Sequence, residues 1–315
     1  MKAVLYDRYG GPELLHLGET IAPPLKRGYV LVNVHAAALN PIDCEVRKGR
    51  FKFMTGRKFP RIPGSDFAGE VVQASPEIGD FKKGDRVYGF TEVFKGGSYA
   101  EVVSVPASTI SHVPDTLSWE DAASIPLAAL TALQGLRDQA QLAKGQSVLI
   151  NGASGGVGVH AVQIAKILGA EVTAICSYRN TDRMRDLGAD FVIDYTQTNY
   201  LEQPRTYDVF FDVFGNQSYS KTRHLLSPAG HYVSTIPTPG NFLSGLTNPF
   251  RNQQVHVVVV KSHRENLALL AEWLHSGLLK PIVDKTFAFS EADQAQSYLE
   301  TRRARGKVVL HHWGV

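Results

Sequence analysis

Two hydrophobic patterns divide the chain near residue 118. Before it, apolar residues come in short β-like runs at 30–34, 69–72, 86–90 and 100–103, separated by Gly, Pro, Asp and Asn. Such spacing predicts an all-β, barrel-like unit of short strands. After it, strand-like and helix-like stretches alternate, the signature of a parallel sheet covered by helices. Six strands are expected, at 147–151, 171–176, 191–194, 208–213, 230–235 and 255–260. Their runs lack a polar face, as strands buried on both sides should, and six parallel strands with crossovers make a doubly wound sheet.

The tail reverts to mixed elements. Residues 264–276 have helical spacing, with Leu267, Leu270, Ala271 and Leu274 on one side. Ser290 is the expected N-cap of another helix, with Asp293 in the capping-box position, and 307–310 read as a last strand. These pieces most simply complete the first unit. The expected organisation is therefore a discontinuous β-rich domain, 1–118 and 263–315, around an α/β domain, 119–262.

One turn carries a chemical signal. Ser147-Val148-Leu149-Ile150-Asn151 runs into Gly152-Ala153-Ser154-Gly155-Gly156-Val157-Gly158 and then a helical stretch, 159–168. Ala153 stands where G-x-G-x-x-G has its first glycine, while Gly155 and Gly158 keep the spacing. Glycines there let backbone approach a pyrophosphate, and the helix start offers N–H groups and a positive dipole end. A turn shaped only for tight packing is the plainer alternative; the flanking strand, helix and second strand favour dinucleotide binding.

The second strand then selects the cofactor. An NAD site places Asp or Glu at its end for the ribose 2′-OH; here the chain reads Cys176-Ser177-Tyr178-Arg179-Asn180, without an acid. Ser177 can donate to a 2′-phosphate and Arg179 can pair with it. NADPH is expected, against the alternative that Arg179 is a solvated loop cation.

Composition narrows the classes. The 315 residues are 43% hydrophobic and 20% charged, an ordinary globular balance. Lys and Arg number 33 and Asp and Glu 30, for a net charge of +3, too even for binding nucleic acid mainly through phosphates. Cys44 and Cys176 alone exclude a disulfide framework or a four-cysteine zinc lobe. The opening eight residues read as a strand broken by charge, not as a signal peptide. No apolar run approaches the roughly 18 residues of a membrane span, and the longest β-rich stretch is interrupted by His256. A cytoplasmic protein with no nucleic-acid or membrane partner is the expectation.

Three further motifs occupy the first domain: Asn40-Pro41-Ile42-Asp43, Pro63-Gly64-Ser65-Asp66-Phe67-Ala68-Gly69-Glu70-Val71 and Gly79-Asp80-Phe81-Lys82-Lys83-Gly84-Asp85-Arg86-Val87. With the glycine turn and the closing Arg305-Gly306-Lys307-Val308-Val309-Leu310, they give the chain a nearly end-to-end resemblance to the medium-chain dehydrogenase/reductase superfamily, in its zinc-free quinone oxidoreductase branch. The resemblance implies a GroES-like β-rich catalytic domain, a Rossmann cofactor domain, and a homodimer or homotetramer. Where zinc alcohol dehydrogenases of the superfamily have a Cys and a His-Glu pair, this chain has Asn40 and Ser65-Asp66. Asn and Ser are poor zinc ligands, so no metal is expected.

The resemblance also distributes roles. Asn40 would lie beside nicotinamide and substrate, as a donor, or else satisfy a turn before Pro41. Thr131 would touch the nicotinamide end; Ser154, Gly155, Gly156, Val157 and Gly158 the pyrophosphate; Tyr195 the adenosine. Phe214 and Ile236 follow the fourth and fifth strands, and Arg305 and Lys307 would reach the cofactor or end a solvated helix. Tyr88 is a candidate proton donor, although a Tyr in a β-run is ordinarily a core aromatic. Asp43 would order the Asn40 loop or serve as an acid, and Cys44 reads as a small buried residue. Without a Lewis acid, hydride transfer suits acceptors whose own conjugation carries the developing charge. The expected function is zinc-independent, NADPH-dependent reduction of a quinone or α,β-unsaturated carbonyl. An enoyl-thioester reductase of the same fold, and a non-catalytic NADPH-retaining protein that binds RNA or protein, are the alternatives.

Overall fold

The computed structural model describes residues 1–246, 248 and 252–313. By its contacts the chain divides into two units: Met1–Leu127, Ser262–Gly277 and Pro281–Val315 form the first, Ala128–Lys261 with Leu278–Lys280 the second.

The first unit is built on a seven-stranded sheet. Its spine is the long strand Tyr29–Ala38, which alternates half-buried and buried residues and then buries Ala36, Ala37 and Ala38 in succession. That strand pairs antiparallel with Asp66–Ala74, Val102–Pro106 and Lys307–His311, and irregularities between Leu31 and Val32 and between Val34 and Ala36 break its register with Asp66–Ala74. Three partners and a broken register curl the sheet on itself, so that Val32, Phe67, Val87, Tyr99, Ile110 and Leu310 share one core. Glycine is obligatory at Gly69, where a Cβ would collide with the Asn33 carbonyl of the paired strand.

The chain leaves the spine strand into helix Pro41–Arg47. Asn40 is its N-cap in extended conformation, Pro41 supplies a pre-set φ, and the Asp43 carboxylate accepts from the Asn40 N–H at 2.9 Å. At the far end Arg47 is fully buried. It donates to Gln296 and the Gly10 carbonyl, both at 2.6 Å, and pairs with Glu300. That one side chain ties the early chain to helix Ala292–Glu300.

The second unit is a six-stranded parallel sheet. In spatial order the strands are Phe191–Asp194, Glu171–Cys176, Ser147–Asn151, Tyr207–Asp212, Leu226–Ser234 and Gln254–Val257, the 3-2-1-4-5-6 order of a doubly wound dinucleotide fold. Three strands fall where the hydrophobic runs place them, and the fourth shifts by one residue. The fifth starts four residues earlier than expected and the sixth stops at Val257, because Val258 closes the ladder with a last N–H to Ser234 and Val259 is exposed.

Two expectations shift. Residues 119–127 belong to the first unit, because helix Trp119–Ala123 presents Trp119 to a stack on His35 (4.6 Å between rings), with the Arg86 guanidinium 3.8 Å from its ring. Leu278–Lys280 return to the second unit because Gln163 exchanges two hydrogen bonds with the Lys280 backbone. Nor is Ser290 an N-cap. It sits inside a 3-10 turn, Phe289–Glu291, where the Glu291 carboxylate accepts from the Ala288 N–H, and the helix proper is Ala292–Glu300.

The glycine turn yields a test of close packing. A Cβ on Gly158 would meet the Gly152 carbonyl oxygen and lie 2.6 Å from the Ala153 carbonyl carbon, whereas at Gly155 the nearest such atom is 3.5 Å away. Gly158→Ala should lower the free energy of unfolding in urea by about 2–4 kcal/mol and Gly155→Ala by about 1 kcal/mol or less. Equal losses would show that helix-to-turn contact is not the constraint.

Candidate active site

In the first unit, the residues that stand where zinc relatives keep their ligands meet in a closed, buried network. Asn40, just past the spine strand, and Asp66, the first residue of the strand paired with it, are 3% and 0% exposed. The Asn40 amide donates to Asp66 Oδ2 at 3.0 Å. Lys307, from the last strand and 3% exposed, completes the triangle: its Nζ donates to Asn40 Oδ1 at 2.7 Å and to Asp66 Oδ2 at 2.9 Å. The second Asp66 oxygen accepts from the Leu127 N–H at 2.7 Å. A carboxylate so enclosed is stable only because an ammonium and two neutral donors face it.

Asp43 forms the second half. One oxygen takes the Asn40 N–H and the other the Ser65 hydroxyl at 2.6 Å. Burial raises its pKa; the hydrogen bond from Ser65 opposes this, the nearby Asp66 charge adds to it, and the result is about 7. In the neutral acid, the proton lies toward Ser65, whose hydroxyl can turn to accept it, while the other oxygen still accepts from Asn40.

This arrangement revises several expectations. Lys307 is neither a solvated cation nor a group extended toward cofactor phosphates, because its ammonium is bound by Asn40 and Asp66. Asn40 does cap a turn before Pro41, and its amide oxygen and one amide hydrogen are engaged inside the protein. Tyr88 is fully buried and donates to the Leu267 carbonyl at 2.7 Å, and burial raises its pKa, so it belongs to the core. Cys44 is buried with its thiol pushed up to about 12 by desolvation, and Cys176 up to about 11, so neither is a nucleophile. Arg305 offers its backbone N–H to Asp284 at 3.0 Å. The donor set does not suit zinc: one amide, one hydroxyl and one carboxylate already paired with an ammonium. Among the described residues no three His, Cys, Asp or Glu side chains converge on a metal position.

The second unit carries the nucleotide features at the carboxyl ends of its strands. Gly152 turns the chain at φ 83°, and helix Gly156–Ile167 begins after Gly155 with no side chain capping it. The first N–H groups of that helix, on Gly156, Val157 and Gly158, lack intrahelical acceptors by geometry and suit an anion. Ser154 stands half-exposed in the turn and Thr131 is buried in helix Pro126–Leu133. Ser177 and Arg179 follow the second strand, Ser177 half-buried and Arg179 exposed. Asp194 draws the two adjacent strand ends together by accepting from the Tyr178 and Thr196 N–H groups, each at 3.0 Å. Tyr178, Tyr195, Phe214 and Ile236 are 74%, 56%, 46% and 42% exposed, four large side chains at strand ends that are only partly covered. These residues fit an adenine nucleotide with a 2′-phosphate. Tyr178, Asp66 and the inward role of Lys307 were missed in the sequence; only Tyr178, adjacent to Arg179, carried a local signal.

The chain matches the families described as "Alcohol dehydrogenase GroES-like domain" over residues 26–115 and "Zinc-binding dehydrogenase" over residues 187–310. It is 38% identical to the 2-methylene-furan-3-one reductase of Solanum lycopersicum, across 99% of this chain and 79% of that protein. Identity is also 38%, with the same coverage, to the chloroplastic NADPH-dependent alkenal/one oxidoreductase of Arabidopsis thaliana. The solved quinone oxidoreductase of Coxiella burnetii superimposes with a TM-score of 0.90 at 32% identity, over 99% of both chains.

Two stability measurements probe the network. The Asp43 pKa is raised above its ordinary 3.8 to about 7, so ionisation is disfavoured by folding. Stability should therefore fall as pH rises from about 4 to 7 and then level off. Asp43→Asn mimics the neutral acid and should raise unfolding free energy at pH 8 by about 2 kcal/mol, with a much smaller gain at pH 5. A pH-independent effect of the substitution would show that Asp43 is ionised throughout. Lys307→Met should lose about 3–5 kcal/mol by stranding Asp66, and Asp66→Asn in the same chain should restore part of it. Strict additivity in urea unfolding would mean the two side chains do not interact.

Proposed function

The chain belongs to the medium-chain dehydrogenase/reductase superfamily, and on that premise we propose that it is an NADPH-dependent reductase of quinones or α,β-unsaturated carbonyls that works without zinc. The observation that carries the metal-free part is the Lys307 ammonium seated between Asn40 and Asp66, where a Lewis acid would need open ligands. The acceptor class follows from that chemistry and from the relatives' names: an enone or quinone delocalises the incoming electron pair and needs no metal to polarise it.

NADPH, when bound, supplies the hydride. The chain's part is binding and orientation. The uncapped start of helix Gly156–Ile167 receives the pyrophosphate, and Ser177 and Arg179 receive the 2′-phosphate. Tyr195, Phe214 and Ile236 at the strand ends, with Thr131, would hold the rest of the dinucleotide. Asn40 is held rigid by Lys307, Asp66 and Asp43, so its backbone and side chain form a fixed wall of the acceptor site, and alignment rather than a single acid or base provides the rate. The proton that completes reduction comes from water or a protein hydroxyl.

We further infer a homodimer or homotetramer located in the cytoplasm. No helix among the described residues is long and apolar enough to cross a membrane. Several relatives are named chloroplastic or mitochondrial, so a fractionation experiment is the direct check of location.

Arg179 gives the sharpest test. Titration by Trp fluorescence should show NADPH bound at least about tenfold more tightly than NADH, and Arg179→Ala should remove most of that preference by weakening NADPH alone. Equal weakening of both would reject the 2′-phosphate assignment. With NADPH, 1,4-naphthoquinone and a short enone should turn over faster than a crotonyl thioester; the reverse order would favour the enoyl-thioester reading.

A further inference from the structure

The net charge of +3 conceals a local extreme. Residues 47–61 hold seven of the Lys and Arg residues and no acid, leaving 26 bases against 30 acids in the rest of the chain. Four of the seven are engaged. Arg47 is buried against Glu300, Lys48 pairs with Glu300 and Arg50 with Glu45, and Arg61 donates to the Phe94 carbonyl at 2.9 Å. Lys52, Arg57 and Lys58 are exposed and form no ion pair among the described residues. Between them, on the single turn Lys52–Thr55, Phe53 is 95% and Met54 65% exposed.

The tip is held out, not collapsed. Gly49 and Gly56, at φ 81° and 73°, frame it with turns that other residues adopt at a strain. Its base is anchored by the Tyr9 and Thr55 hydroxyls at 2.6 Å, by the tilted ring contact of Phe51 with Phe94 at 5.2 Å, and by Arg61. Two adjacent large apolar side chains are therefore presented to solvent on a fixed support, ringed by unpaired cations. The Lys52 ammonium, 5.8 Å from the Phe53 ring, is long enough to stay at headgroup level while the ring goes deeper.

We propose that residues 50–58 dock this protein reversibly on an anionic lipid surface, with Phe53 and Met54 entering the headgroup–acyl boundary and Lys52, Arg57 and Lys58 facing the lipid phosphates. Charge complementarity selects the partner, because residues 47–61 carry seven cations and no acid on a chain whose other residues sum to 26 bases against 30 acids. Methionine argues against single-stranded RNA, whose bases stack on planar rings. Contact is peripheral, and no helix among the described residues is long and apolar enough to span a bilayer. Lipophilic acceptors concentrate in such a boundary, so docking would supply them without changing the reaction.

Co-sedimentation with vesicles tests this without reference to catalysis. The full chain should pellet with phosphatidylcholine vesicles containing about 30% phosphatidylglycerol, and partition should drop about tenfold or more in pure phosphatidylcholine and again when salt is raised from about 50 to 500 mM. Phe53→Ser/Met54→Ser and, separately, Lys52→Glu/Arg57→Glu/Lys58→Glu should each reduce partition about tenfold, with unchanged thermal melts because all five side chains are exposed. Equal partition on neutral and anionic vesicles overturns the proposal, as does partition insensitive to both sets of substitutions. Binding of a single-stranded RNA oligonucleotide with no vesicle partition also overturns it. Since the wild-type comparison of two lipid compositions decides the matter alone, a variant that unfolds does not protect the idea.

Discussion

A buried carboxylate needs a buried counter-charge, and much of the first unit is arranged around meeting that need. Asp66 sits on the second strand of the curled sheet, Asn40 at the end of the first and Lys307 at the start of the last. The three can share a hydrogen-bonded triangle only if the last strand lies beside the first in the observed antiparallel register, Val309 opposite Ala38. A one-residue slip would turn Lys307 to the other face and strand Asp66. The polar cluster therefore helps to specify the register on which the surrounding aliphatic core depends. It also accounts for the discontinuous first unit, because its essential cation arrives from the far end of the chain.

The second unit answers a different constraint, close approach of backbone to backbone. Helix Gly156–Ile167 packs so near the Gly152–Ala153 turn that no side chain fits at Gly158. The same closeness leaves the helix start bare, with N–H groups that the protein does not satisfy itself. Around it Tyr178, Tyr195, Phe214 and Ile236 remain partly exposed. A soluble domain rarely gathers so much apolar surface at one end of its strands without a ligand to cover it. Of the candidates the sequence offered, none is an activated nucleophile or an available acid. Cys44, Cys176 and Tyr88 are buried with raised pKa values, and Asp43 is spent on helix capping. That poverty of reactive groups is what alignment of a strong donor with a receptive acceptor requires.

How much of this was legible in the chain depended on the range of the interaction. The parallel strands are short apolar runs whose identity is local, so 147–151, 171–176 and 191–194 could be placed to the residue. The glycine turn is local as well, and so is the Ser177–Arg179 strand end. Trp119 could not be assigned to the first unit, because what holds it are His35 and Arg86, distant in sequence. Ser290 misled because a serine before an acidic residue is a cap only if the backbone there is extended, and a 3-10 turn intervenes. Lys307 looked like one more cation in a run of them. Its partners lie 267 and 241 residues away, and no periodicity reports a contact of that kind.

An average hides a local charge in the same way that spacing hides a long-range contact. A net charge near zero argues against phosphate-rich partners only if the charges are mixed, and here 47–61 are not mixed at all. Burial sorts that run further. Arg47 is an internal strut and Arg61 braces a turn, so counting all seven cations as surface charge would overstate the field by more than twofold. What remains outward are three cations and two apolar side chains on one turn. Either group alone would be an ordinary surface feature. Their combination on a braced tip restricts the surfaces that can satisfy both, because water suits the cations and not Phe53 or Met54, while a protein interior suits the reverse. An interface between the two media suits both at once.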